Sequence, residues 1–193
     1  IAVGMACSIP SHNLNEICEA AKLLIENKDI SDEKILDVIK GPDFPTGGTI
    51  LEPQSNILQA YKNGKGSFRL RSNWFVEKKS SGTWQICIHE IPYQIQKSKI
   101  IEKIAELISE KKLIMVSDVR DESSDDIRII IEPKSRNINP DHLMEILFRL
   151  TDLETGYDIN LIKEDLLQFL SDYAYGTDKN SLEVIISNLI KKN

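Results

Sequence analysis

Apolar positions along this chain recur with two different periods, and the change from one to the other divides it into elements. Leu14, Ile17, Cys18, Ala21, Leu24 and Ile25 repeat at helical spacing behind Asn13, a residue type that caps helix N-termini. They predict a helix with one buried stripe. A short second helix follows, capped by Ser31, with Asp32 and Glu33 favouring its positive end, Ile35, Val38 and Ile39 inward, and Gly41 just past its end. The stretch GPDFPTGG, residues 41–48, holds two prolines and three glycines, which exclude regular structure and predict an ordered, turn-rich loop. Ser55 to Asn63 reads as another short helix, closed by Gly64.

Between Ser67 and Glu77 the period becomes two. Phe68, Leu70, Trp74 and Val76 share one face, and Arg69, Arg71, Asn73 and Glu77 share the other. After the turn SSG, Trp84, Ile86 and Ile88 alternate with Gln85, Cys87 and His89, so the two runs predict a hairpin with both tryptophans on its buried face. Pro92 ends that strand. SKIIEKIAELISEKK, residues 98–112, is the clearest amphipathic helix, with Ile100, Ile101, Ile104, Leu107 and Ile108 as its stripe and Glu102 and Glu106 within reach of lysines. LIMV (113–116) and IRIIIE (127–132) read as strands flanking the charged turn RDESSDD, and Asn139–Pro140 opens a helix carrying Leu143, Leu147 and Leu150. The order of elements predicts an α+β domain with a largely antiparallel sheet flanked by amphipathic helices.

Composition narrows the class. The chain has 193 residues, 41% hydrophobic and 28% charged, which fits one substantial core with a small annex. No apolar run approaches a membrane span, and the apolar start lacks the basic region of a signal peptide. Cys7, Cys18 and Cys87 are unpaired in spacing and read as reduced thiols of a cytoplasmic protein, Cys18 and Cys87 on apolar faces. A net charge of −6 argues against a whole surface built for nucleic acid, yet between residues 62 and 79 six cations face only Glu77, a local +5. NGKGSFRLR, inside that stretch, lacks the spacing of a phosphate-cradling nucleotide loop. The patch suits a polyanion or, equally, a solvated strand face.

Other clusters carry less. RDESSDD, residues 120–126, has four acids but not the glycine of a calcium loop, so it reads as a solvated turn. His12, His89 and His142 fall in separate segments without ligand spacing, and His89 beside Glu90 has no nucleophile to serve.

Five blocks then change the picture: IAVGMACSIPSHNLNE, GPDFPTGG, GKGSFRLR, HEIPYQIQKSKIIEKIAELI and RDESSDDIRIIIEPK, in this order. Together they resemble the A subunit of bacterial type IIA topoisomerases, gyrase and topoisomerase IV. LIMVSDVRDES and LTDLETGYDINL look more like the topoisomerase IV branch. The resemblance implies part of an enzyme that cuts one duplex, passes another through and reseals the break, driven by ATP. In that family a tyrosine attacks a phosphodiester beside a charge-stabilising arginine, on a winged-helix domain upstream of the IAVGMA stretch. None of Tyr61, Tyr93, Tyr157, Tyr173 or Tyr175 matches that motif, so no catalytic residue is expected in this chain and it is expected to be inactive alone.

The resemblance further implies that residues 1–13 end the winged-helix region, that 14–161 form the family's α+β tower domain, and that 162–193 are a divergent helical tail. It makes Ile1 the apolar wedge inserted between base pairs, a role that fits the cost and gain of unstacking a base step. Lys65, Arg69 and Arg71 are candidate contacts to the DNA backbone. The expected partners are double-stranded DNA and the B subunit, with ATP and Mg2+ on the B subunit, no cofactor or metal in this chain, and a cytoplasmic, chromosome-associated setting. The resemblance also implies an A-subunit homodimer in the complete protein. The tail carries no arginine, unlike the helix that leads to the family's dimer gate, so that gate is not expected here; it reads as helices around 166–173 and after Ser181. Two other functions stay open: a shortened relative keeping this body as a non-catalytic DNA- or partner-binding module, and a metal-dependent hydrolase using the acidic turn.

Overall fold

The computed structural model describes residues 8–27, 30–80 and 82–160, with the backbone alone at Asp32. Helix α1 (Leu14–Glu26) packs on α2 (Asp32–Val38), α3 (Gln54–Asn63) packs on β2 (Lys65–Arg71), and β1 (Thr49–Ile50), β2 and β7 (Glu154–Asn160) form a three-stranded sheet in the order β1-β2-β7. Strands β3 (Asn73–Lys78), β4 (Trp84–Glu90), β5 (Val116–Asp121) and β6 (Ile129–Pro133) form a second sheet in the order β3-β4-β6-β5, with α4 (Lys97–Ser109) and α5 (Pro140–Leu150). Among the described residues every strand pairing is antiparallel, and the fold is α+β with antiparallel sheets.

The four-stranded sheet holds the larger core. Ile86, Ile88, Ile129 and Ile131 meet Ile100, Ile104 and Leu107 of α4 and Leu143, Met144 and Leu147 of α5, all buried. Burying each such side chain contributes about 1.5–3 kcal/mol, and the 3.6-residue and two-residue periods are what bring them together. Asn139 caps α5 by accepting from the N–H groups of Asp141 and His142 at 2.8 and 3.2 Å, with Pro140 at the first helical position. The smaller core lies under the three-stranded sheet and is partly aromatic. Phe44, from the GPDFPTGG loop, packs on Tyr93 and Tyr157 with ring centroids 5.2 and 5.0 Å apart. Helix α3 closes on Gly64 in the left-handed region and then approaches β2 so tightly that a Cβ on Gly66 would sit 2.5 Å from that of Ala60.

Several expectations are corrected. The run from Ser67 to Glu77 is two strands in two sheets, broken at Ser72, which is buried and donates its N–H to the Leu153 carbonyl at 2.8 Å. Only β3 forms the hairpin with β4; Phe75 and Val76, on opposite faces of it, are both exposed, and Trp74 and Trp84 are only partly buried against the larger core. LIMV is not a strand: the N–H groups of Lys112 and Leu113 both donate to the Leu107 carbonyl at 3.0 Å, so this segment terminates α4 and β5 begins at Val116. Strand β7 was not expected from a segment as polar as ETGYDIN, although Tyr157 and Ile159 do alternate inward. Leu150 is exposed at the end of α5.

Helix α1 forms as its caps predict, with Asn13 accepting from the Asn15 N–H at 3.0 Å, but its stripe is not covered: Leu14 is 74% and Ile25 73% exposed, and only Ala20 is buried. Cys18 is exposed, while Cys87 is buried in β4. Periodicity reports that an apolar face exists. It does not report what lies against it.

Candidate nucleic-acid interface

Strand β2 sets the geometry of the basic stretch. Phe68 and Leu70 point into the smaller core, so alternation sends Lys65, Ser67, Arg69 and Arg71 to the outer face. On β7 the register places Glu154 opposite Arg71, Gly156 opposite Arg69, Asp158 opposite Ser67 and Asn160 opposite Lys65.

The two arginines are held differently. The Arg71 Nη2 and Nε lie 2.5 and 2.7 Å from one Glu154 carboxylate oxygen, and its guanidinium carbon sits 4.4 Å above the centre of the Phe148 ring on α5. This ties β2 to β7 and to a helix of the larger core through a charge-assisted hydrogen bond and a cation–π contact. Arg69 is 61% exposed and reaches only long contacts, 3.6 Å to Glu52 and 3.7 Å to Glu154. The Asn56 amide, and after it Arg69, hold the Glu52 carboxyl below the usual carboxylate range.

The surplus of positive charge along residues 62–79 is largely neutralised in space. Lys62 pairs with Glu33 at 2.5 Å and Lys79 with Glu132 at 2.5 Å, partners distant in sequence. The outer face of the four-stranded sheet is crossed by a ladder of such pairs: Lys79–Glu132–Arg120, then Arg120–Glu122–Arg128, then Arg128–Glu77. The Arg128 guanidinium, and then the Gln85 amide, keep the Glu77 carboxyl low, while burial pushes the Cys87 thiol beneath them up. Lys65 and Lys78 remain exposed.

Ile1 and the tail from residue 162 lie outside the described residues, as do Cys7, Tyr173 and Tyr175. Tyr61 hydrogen-bonds His12 at 2.6 Å, and burial raises the phenol's pKa and lowers the imidazole's. Tyr93 and Tyr157 belong to the smaller core. His89 lies against Phe75, and His142 is 3.9 Å from Glu145. Among the described residues no three His, Cys, Asp or Glu side chains gather in a metal-binding arrangement, and no helix is long and apolar enough to cross a membrane. In the acidic turn, Asp121 is pushed down to about 2 by Ser123 and Lys97, which makes it a turn-forming carboxylate with partners of its own.

The residues that local sequence counting missed are Glu52 and Glu154. Both face Arg69 from other elements, and recognising ETGYDIN as a strand would have put Glu154 opposite Arg71.

An α+β body with antiparallel sheets and a β2 face of unequally held arginines is the structural class. Residues 1–173 match the family model for the A subunit of DNA gyrase/topoisomerase IV, and the chain belongs to that family. It is 53% identical over 161 residues to the DNA topoisomerase 4 A subunit of Rickettsia prowazekii, covering 83% of this chain and 22% of that protein. It is 45% identical over 184 residues to the DNA topoisomerase 4 A subunit of Caulobacter vibrioides, covering 89% of this chain and 24% of the relative. The DNA gyrase A subunit of Ureaplasma parvum is 44% identical over 161 residues, covering 83% of this chain and 19% of that protein. The chain therefore spans about a quarter or less of these relatives.

Proposed function

We propose that this chain is the tower portion, residues 14–161, of a topoisomerase IV-type A subunit, with residues 1–13 leading in from the DNA-cleaving region. Its work is to support the flank of a bent duplex while the strand-cutting tyrosine and its arginine act from outside the chain. The observation that carries this reading is the match of residues 1–173 to the A-subunit family, and the similarity to the topoisomerase 4 A subunits of Rickettsia prowazekii and Caulobacter vibrioides supports the branch. In this reading duplex DNA and the B subunit are the partners. ATP and Mg2+ act on the B subunit, and the complete A subunit is a homodimer that decatenates chromosomes and relaxes supercoils in the cytoplasm. Ile1 is the wedge: an apolar side chain that unstacks a base step at a cost of a few kcal/mol and gains the contacts that a bend permits.

Relaxation and cleavage assays on the complete A–B complex test this. Ile1→Ala in that complex is expected to reduce DNA bending and cleavage with an unchanged melting temperature, and unchanged bending refutes the wedge. The 193-residue chain alone, given ATP and Mg2+, is expected to leave supercoiled DNA unrelaxed, and a covalent adduct between it and DNA overturns the assignment of catalysis elsewhere.

A further inference from the structure

The two arginines of β2 differ in how far each is free to change partners. Arg71 is committed: its guanidinium is pinned at 2.5 and 2.7 Å to Glu154 and stacked 4.4 Å over Phe148. Moving it to a phosphate would break a short charge-assisted bond and a cation–π contact together. Arg69 has neither constraint. Its contacts of 3.6 and 3.7 Å exceed hydrogen-bond distance, and exposed pairs of that kind contribute little. The position directly opposite it on β7 is Gly156, so its paired residue adds no side chain over it and Glu154 is the β7 side chain that reaches it. Its two carboxylates, by contrast, are well placed to stay where they are. Glu52 accepts from the Asn56 amide at 3.0 Å, and Glu154 keeps Arg71.

We propose that Arg69 is the phosphate-binding group of this face and that Glu52 and Glu154 hold it in reserve, the guanidinium exchanging two long carboxylate contacts for a phosphodiester of duplex DNA. The inference rests on the DNA-supporting function proposed above and adds to it a built-in competitor. In the absence of DNA the two carboxylates orient Arg69 and lower the positive potential of the face. When a phosphate arrives it replaces them as the acceptor, and Arg71 stays behind as the strut that keeps β2 and β7 in register. The competition sets a threshold, since a polyanion must offer a better acceptor than two partly screened carboxylates to recruit the arginine.

The test is binding of the 193-residue chain to a fluorescent duplex of mixed sequence, followed by anisotropy across a salt series. Arg69→Ala is expected to weaken binding several-fold at low salt and to lower the slope of log K against log salt by about one. Glu52→Gln keeps an acceptor for Asn56 while removing the charge, and is expected to tighten binding about two- to five-fold. That gain should vanish in the double variant Glu52→Gln/Arg69→Ala, which separates release of Arg69 from a general loss of negative charge. A gain that persists in the double variant, or an unchanged slope in Arg69→Ala, overturns the inference and leaves the DNA-supporting function standing. Failure of the wild-type chain to bind duplex at any salt overturns both.

Discussion

The two sheets share an antiparallel construction and treat their outer faces in opposite ways. On the four-stranded sheet the charged residues satisfy one another across strands, Lys79–Glu132 at 2.5 Å, Arg120–Glu132 at 2.8 Å and Arg128–Glu77 at 2.7 Å, over a core of isoleucines and two helices. On the three-stranded sheet one arginine is used internally and its neighbour is held at 3.6 and 3.7 Å, over a smaller core that depends on aromatic rings. A surface whose charges are mutually satisfied has little reason to exchange them for an external ligand. A surface with a loosely held guanidinium does, and this is why the difference bears on function.

The largest effect should come from the smaller core. Phe68 is buried among Phe44, Tyr157 and Leu70, and Phe68→Ala is expected to cost about 3–5 kcal/mol because so few neighbours can close the cavity. The two sheets are joined at Ser72, at the Arg71–Phe148 stack and at Glu90, so thermal unfolding should remain one transition at a lower midpoint. Two resolved transitions in calorimetry would break the comparison into two independent bodies.

Next in size is the ladder. Arg128→Ala removes the partner of Glu77 and Glu122 and a lid over Cys87, and is expected to cost about 1–2 kcal/mol, solvent screening at these partly exposed groups limiting the loss. Arg69→Ala, with its long contacts, should change stability by less than about 0.5 kcal/mol. Urea unfolding of both variants checks the contrast, and equal losses would mean that the two outer faces are held alike.

How much of this was legible in the sequence follows from which interactions are local. The caps at Asn13 and Asn139 and the stripe of α4 are short-range, and they form as expected, whereas in β4 Gln85 and Cys87 are buried along with Ile86 and Ile88, under Glu77 and Arg128 from other segments. The break at Ser72 was invisible because alternation continues in phase across it from Leu70 to Trp74, and only the bond to Leu153, eighty-one residues away, reveals the change of sheet. The candidate site was half legible. Lys65, Arg69 and Arg71 do share an outer face, but their charge was counted against neighbours in sequence, whereas Glu154 acts from a strand more than eighty residues away. The stripe of α1 shows the limit from the other side, a correct helix whose Leu14 and Ile25 face solvent.

The smallest change of chemistry, a carboxylate replaced by an amide, probes the joint between the sheets. Glu90 ends β4 and accepts from the Gly48 N–H at 2.7 Å and from the Asn73 amide at 2.6 Å, while Asn73 in turn accepts from the Thr49 hydroxyl at 2.7 Å. A Cβ on Gly47, where φ is +70°, would overlap this carboxyl, so the loop's glycine is what lets Glu90 reach across. The Gly48 N–H, followed by Asn73, holds the Glu90 carboxyl below its ordinary value of 4.5. A depressed carboxyl stabilises the fold above its unfolded value and loses that contribution as pH falls through the folded one. Glu90→Gln should therefore be less stable than the wild type at pH 7, by about 0.5–1 kcal/mol, since a neutral amide oxygen accepts these bonds more weakly. The gap should narrow below pH 4.5 as the wild-type carboxyl takes up its proton. Melting midpoints of the two proteins at pH 7 and pH 3 decide it: a constant gap would show that shape alone, and not the charge of Glu90, fastens the loop of the three-stranded sheet to the four-stranded one.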